Sequence, residues 1–303
     1  MDVLVTGATG FVGRRLTPAL VERGHAVTTL VRDRDAYDPP DGVRVVEGDL
    51  LDPGSFAAAL DVTAAYYLVH SMRAGGDFEE RDRRAARNFA AAASEAGVER
   101  VVYLGGLGEE RDDLSAHLRS RREIERVLAE GEYALTTLRA GIIVGEGSAS
   151  FEMVRQLAAR LPVMVTPRWV RTPCQPIAVD DVVAYLVGVL DHPETAGDTY
   201  EIGGPEVLTY ADVLRRVGRQ LGREPLVVPV PVLSPRLSVR WIDLVTDVPA
   251  SVARPLVEGL RNPVVVHNHR IEEVVSVDLT PFDEAVARAL GRDRSTPEGA
   301  AGA

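Results

Sequence analysis

Short runs of Val, Leu, Ala and Tyr alternate with amphipathic stretches over the first half of the chain. Asp2–Thr6, Ala26–Val31, Val43–Glu47, Ala64–Val69, Val101–Leu104 and Ala134–Arg139 read as strands. Their apolar runs are almost continuous, the mark of strands buried on both faces of a parallel sheet. Helices are expected at Phe11–Arg23, Pro53–Leu60, about Asp77–Ala96 and Ser115–Glu130. Asp52 stands where an N-cap would precede a first-position proline, and Gly97 where a helix C-cap belongs. This alternation predicts an α/β fold, a doubly wound parallel sheet with helices on both faces.

Beyond Gly141 the pattern loosens. Phe151–Arg160, Asp180–Asp191 and Tyr210–Leu221 suit helices, Thr199–Ile202 a strand, and Leu226–Val230 an extended piece. Val163–Gln175, punctuated by prolines, suits loop and short strand. Two further amphipathic stretches are Pro235–Val245 and Ala250–Leu260. The expected division is an α/β sheet domain over 1–145 and 176–204, a small α+β cap over 146–175 and 205–291, and a frayed tail over 292–303.

Val3–Gly13 reads VLVTGATGFVG, with glycines at Gly7, Gly10 and Gly13 between a strand and a helix. At that place each glycine has a task. Gly7 permits a tight turn, Gly10 lets backbone approach a pyrophosphate, and Gly13 lets the helix pack closely on the sheet. The helix start offers free N–H groups and the positive end of its dipole to phosphates. Thr9, Phe11, Val12 and Arg14 complete the expected cradle. At the end of the second strand Arg32 precedes Asp33. An arginine there, with Arg14, suits a 2′-phosphate, so NADP(H) is favoured; Asp33 keeps NAD(H) open.

These residues resemble the short-chain dehydrogenase/reductase superfamily in its extended and atypical branches. The likeness runs from Met1 to about Leu221. It continues through Gly48-Asp49-Leu50, Tyr67–Met72, Leu138–Gly145, Pro176–Val182 and Tyr200–Gly204. Leu68-Val69-His70-Ser71-Met72 is most similar to an NmrA-like subgroup that includes an NAD(P)H-binding accessory subunit of respiratory complex I. The resemblance implies a Rossmann-type fold. It also implies cofactor contacts from Asp49, Leu50, Leu68, Val69, His70, Gly141 and Ile142, and substrate contacts from His70, Met72 and Val144.

The superfamily's Tyr-x-x-x-Lys pair and its serine are missing. The fifth strand ends Tyr103-Leu104-Gly105-Gly106, and the following helix carries His117 and Arg121 at the pair's positions. These two share a helix face. Arg121 can hold a nicotinamide ribose by hydrogen bonds but cannot relay a proton. His117, titrating ordinarily near ~6.5, is a candidate acid or base.

Composition narrows the rest. None of the 34 basic residues is a lysine, which removes Schiff-base and lysine-base chemistry. A net charge of -11 argues against a nucleic-acid partner, and it also suits salt adaptation. The single Cys174 excludes an internal disulfide. No metal site is expected; His267-Asn268-His269 lacks further clustered ligands. The apolar stretch from Pro229 to Trp241 suits a partner patch or cap core. No secretory leader or spanning segment is read, so a cytoplasmic protein is expected.

The expectation is a reductase moving hydride to an apolar carbonyl, enone or quinone-like acceptor. A non-catalytic redox sensor or assembly module is the alternative, and a nucleotide-sugar epimerase or dehydratase a further one.

Overall fold

A computed structural model describes residues 1–70, 78–108, 114–230, 247 and 259–292, with the side chains of 116, 117 and 168 outside that description. The stretches around Pro235–Val245 and Ala250–Leu260 therefore lie largely or wholly outside the described residues, as do Met72 and 293–303 of the tail.

The first strands are β1 (Asp2–Thr6), β2 (Ala26–Val31), β3 (Arg44–Glu47) and β4 (Ala64–Tyr67). Next come β5 (Arg100–Gly106), β6 (Ala134–Ala140) and, later in the chain, β11 (Thr199–Ile202). Together they form one seven-stranded sheet in the order β11-β6-β5-β4-β1-β2-β3, parallel throughout. The order reverses between β1 and β4, which is where open α/β sheets bind ligands. Side chains alternate across the sheet with a period of two. Val3, Val5, Ala64 and Tyr66 enter one core; Leu4, Ala65 and Tyr67 enter the other.

The first core is closed by α1 (Gly13–Glu22) and α5 (Val179–Asp191), the second by α2 (Phe78–Glu95) and α3 (Ala116–Leu128). Ser115 caps α3, its hydroxyl accepting the Leu118 amide. Gly97 takes φ +73, as the C-cap reading requires. Pro53–Leu60 departs from expectation. It forms two 3₁₀ turns, Pro53–Ser55 and Ala57–Ala59, and Asp52 makes no side-chain cap. Ser55 instead accepts the Asp49 amide at 2.8 Å and donates to the Asp52 carbonyl at 2.8 Å. Gly48 packs so close that a Cβ would lie 2.7 Å from the Ser55 carbonyl oxygen.

A third core lies beyond the sheet's C-terminal edge. It gathers α4 (Ala149–Arg160), α6 (Tyr210–Gln220) and α8 (Phe282–Ala289), a helix the patterning did not announce. The short β7 (Ile143–Val144), β9 (Pro173–Cys174), β10 (Ile177–Ala178) and β12 (Leu208–Thr209) stitch it to the sheet domain. The proline-rich stretch supplies β8 (Val163–Pro167), which pairs in parallel with β13 (Leu226–Val230). Met164 and Val227 of this ribbon are buried, whereas Val163, Val165, Leu226 and Val228 are exposed. The helix α7 (Arg270–Val274) packs on β11. Asp181 of α5 accepts from both the amide and the hydroxyl of Thr280 at 2.8 Å, which fixes the start of α8.

Tyr66 joins sheet to helix. It is fully buried, and its hydroxyl donates to the Leu186 carbonyl of α5 at 2.6 Å. Tyr66→Phe should lower unfolding stability by about 1 kcal/mol, since one buried hydrogen bond is lost at unchanged packing. Urea unfolding measures this; an unchanged midpoint would show that the bond contributes nothing.

Candidate cofactor cleft and active site

The turn after β1 is built on one carbonyl. Gly7 adopts φ +71, and a Cβ there would lie 2.9 Å from the Leu68 carbonyl oxygen of the neighbouring strand end. The Gly7 carbonyl accepts the Gly10 amide at 2.9 Å. A Cβ on Gly13 would overlap that same oxygen, and one on Gly10 would sit 3.0 Å from it. Thr9 and Gly10 are exposed at the tip, while Phe11 and Val12 are half-buried at the start of α1. The backbone is thus bare where a pyrophosphate would approach, and the helix start faces it. These are the features that fit a dinucleotide.

The arginines around the turn divide their work. Arg15 lies over the Phe11 ring at 4.7 Å and donates to the carbonyls of Phe11 and Glu146, so it braces the turn. Arg14 lies across Gly147. Arg32 is exposed at the end of β2. Asp33 turns one carboxylate oxygen into its own loop, accepting the amides of Asp35 at 3.0 Å and Ala36 at 3.2 Å. Asp49 likewise accepts the Leu51 amide at 2.9 Å. Leu50 is buried, its carbonyl held by Asn88 at 2.8 Å.

At the end of β4, Leu68 and Val69 are half-buried and border the turn. His70 follows, and its Nδ1 lies 2.6 Å from Asp82 of α2. Burial, and then the Arg121 charge, push the imidazole down to about 4; the Asp82 bond acts in the other direction and is outweighed. His70 is therefore neutral at pH 7, with Nδ1–H donating to the carboxylate. Arg121 packs its stem against Gly106, and its charge also reaches Tyr67 and Tyr103. The Tyr103 hydroxyl donates to the Arg121 carbonyl at 3.1 Å. Arg121 thus stands over the end of β5, near His70. His117 is the second residue of α3, and its side chain lies outside the described residues.

Asp82 escaped the sequence reading, although a signal was present. Asp82, Ala85, Ala86, Phe89, Ala90 and Ala93 are the buried positions of α2, so the aspartate sits on the helix's apolar stripe. A charge at such a position needs a partner.

Beyond Arg121 a cavity of about 130 Å³ opens between the strand ends and the third core. Gly106, Leu107, Gly141 and Ile142 form one wall; α4 and α6 form the other. No charged side chain lines it among the described residues. Val144 is buried within the third core, and neither it nor His70 is among the lining residues. His269 pairs with Glu272 at 2.7 Å, and the His267 amide donates to Glu201. Among the described residues no group of three or more His, Cys, Asp or Glu side chains is arranged to hold a metal ion. No described helix is long and apolar enough to cross a membrane.

The sequence model of a family described as NAD(P)H-binding matches residues 7–158, half of the chain and the whole of the turn just described. This chain belongs to that NAD(P)H-binding family. Its relatives agree with the atypical short-chain dehydrogenase/reductase branch. The chain is 28% identical over 251 residues to a chloroplastic divinyl chlorophyllide a 8-vinyl-reductase of Zea mays, covering 76% of this chain and 62% of that protein. It thus spans less than two thirds of the maize protein's length. It is 30% identical over 229 residues to a (4-alkanoyl-5-oxo-2,5-dihydrofuran-3-yl)methyl phosphate reductase of Streptomyces griseus, covering 73% of this chain and 74% of that one. Among solved structures, a nucleoside-diphosphate-sugar epimerase of Staphylococcus aureus superposes with a TM-score of 0.75 at 15% identity, covering 97% of this chain and 100% of that one. That likeness concerns the fold alone.

In this NAD(P)H-binding protein the His70–Asp82 pair has a stability signature. The folded-state pKa of His70 lies below its unfolded value, so the unfolded chain binds the extra proton. Stability is retained above about pH 6.5 and lost as pH falls toward 4. From pH 7 to pH 5 the loss should be about 2 kcal/mol. Urea unfolding at both pH values, with His70→Gln as comparator, measures it. An acid limb equally steep in both proteins would place its origin elsewhere.

Proposed function

We propose that this chain is an NADP(H)-dependent reductase of an uncharged, apolar acceptor bearing a conjugated carbonyl, enone or quinone-like group. The observation that carries the reading is the cavity that opens at the strand ends beyond Arg121, with no charged side chain in its lining among the described residues. An apolar cleft at that edge suits an apolar substrate. Among the described residues it offers no cationic partner for the diphosphate of a sugar nucleotide. Two relatives named as reductases support the same class of chemistry.

The Gly7–Gly13 turn and the start of α1 receive the pyrophosphate. Arg32 takes the 2′-phosphate, because Asp33 is occupied with its own loop. Arg121 holds the nicotinamide ribose in place of the missing lysine. A bound nicotinamide cofactor supplies the hydride. His70, neutral and buried against Asp82, orients the strand end rather than delivering a proton. His117 or water supplies the proton, which is sufficient for an acceptor whose reduced form is a stabilised anion. A simple ketone or alcohol needs a stronger positioned acid, worth about 10²–10⁴-fold.

Arg32→Ala should weaken NADPH about 10- to 100-fold, the range of a lost charge-assisted bond, and leave NADH nearly unchanged. Fluorescence titration with both cofactors decides this, and equal losses would remove the 2′-phosphate assignment.

NADPH oxidation should proceed with menadione or cinnamaldehyde and be negligible in the reverse direction with cyclohexanol and NADP. Rapid turnover of cyclohexanol would overturn the reading. Tight NADPH binding without turnover of any conjugated acceptor would favour a non-catalytic dinucleotide module.

A further inference from the structure

Among the described residues lining the cavity, only Ser150, Trp169 and Tyr210 carry a side-chain nitrogen or oxygen. Tyr210 stands apart. It is 5% exposed and packs in the third core beside Leu214. Its backbone is the first residue of α6, locked by a capping box. The Thr209 hydroxyl accepts the Asp212 amide at 3.2 Å, and the Asp212 carboxylate accepts the Thr209 amide at 3.1 Å. The cap fixes the backbone from which the ring projects.

Buried tyrosines usually bond their hydroxyls internally. Tyr66 donates to Leu186 and Tyr103 to Arg121. Tyr67 and Tyr133 have sealed hydroxyls without a partner, and neither lines the cavity. Tyr210 borders the cavity, and no described group accepts from its hydroxyl. A phenol in that position is a donor kept for something that enters.

The geometry points to Tyr210 as the hydrogen-bond donor that receives the acceptor's carbonyl oxygen, so that the cavity selects a carbonyl compound over a hydrocarbon of the same shape. The acceptor's class rests on the reductase reading above. The physical argument is an asymmetry. Water can satisfy the donor while the cavity is empty, a carbonyl satisfies it on entering, and a hydrocarbon leaves it bare. Burial also pushes the phenol well above its ordinary value, so it remains a donor throughout the neutral range. The bond fixes and polarises the oxygen, and the proton itself still comes from His117 or water.

The test uses acetophenone and styrene, a pair of similar shape that differ in the carbonyl, titrated calorimetrically into the full chain. Wild type should bind acetophenone more tightly. Tyr210→Phe should weaken acetophenone about five- to tenfold and hold styrene within about twofold, which also shows that the cavity is intact. The infrared carbonyl band of bound acetophenone should lie at lower frequency in wild type than in the variant. Equal losses for both probes would overturn the inference, as would no loss. A loss with Ser150→Ala in place of Tyr210→Phe, or a wild type that binds neither probe, would overturn it too. Selective acetophenone binding through Tyr210, without NADPH oxidation by any conjugated acceptor, would support Tyr210 and remove the reductase reading alone.

Discussion

The Gly7 carbonyl oxygen is the point on which the site depends. It closes the turn by accepting the Gly10 amide, and it leaves no space for a side chain on Gly13. Because that space is empty, α1 starts directly against the strand end, and its N-terminus faces the cleft. Gly7 itself meets the end of β4 at the Leu68 carbonyl. One close approach thus sets the helix, the neighbouring strand and the bare backbone at the tip. Arg15 and Phe11 brace the outside of the same turn.

The other end of the cleft is organised by charge in a dry environment. His70, Asp82 and Arg121 come from the segment after β4, from α2 and from α3, and meet at the strand ends. Asp82 is buried, and a charge there demands compensation, to which the imidazole N–H contributes. On the proposed reading, Arg121 is the cation that stands at the nicotinamide end of the cleft. It can orient and attract, and it cannot pass a proton on.

Much of this was legible in the sequence because buried parallel strands and glycine turns have strong local signatures. The seven-stranded sheet follows from the apolar runs, and Gly7, Gly13 and Gly97 follow from backbone geometry. The misreading at Pro53–Leu60 has a local cause. Asp52 and Pro53 look like a helix start, yet the Ser55 hydroxyl closes shorter turns. The third core was poorly legible because four of its strands are two residues long and its strand partners are distant: Cys174 pairs with Leu208, and Val163 with Leu226. Asp82 and Tyr210 were hidden for a related reason. A polar residue declares its role only when the neighbours that bury it are known.

The parallel register of β1 also orders the protein's assembly in time. Val3 pairs with Ala64, so the strand that begins the sheet waits about sixty residues for one of its two neighbours. Closing so long a loop has an entropy cost that must be met before its contacts return anything. During synthesis the first thirty or so residues can form only the β1–α1–β2 unit, with one side of β1 unpaired. The Gly7 turn gains its Leu68 wall only when β4 arrives. The completed turn therefore reports that β4 has docked against β1, and a ligand that binds only the folded chain would draw refolding toward that arrangement by mass action.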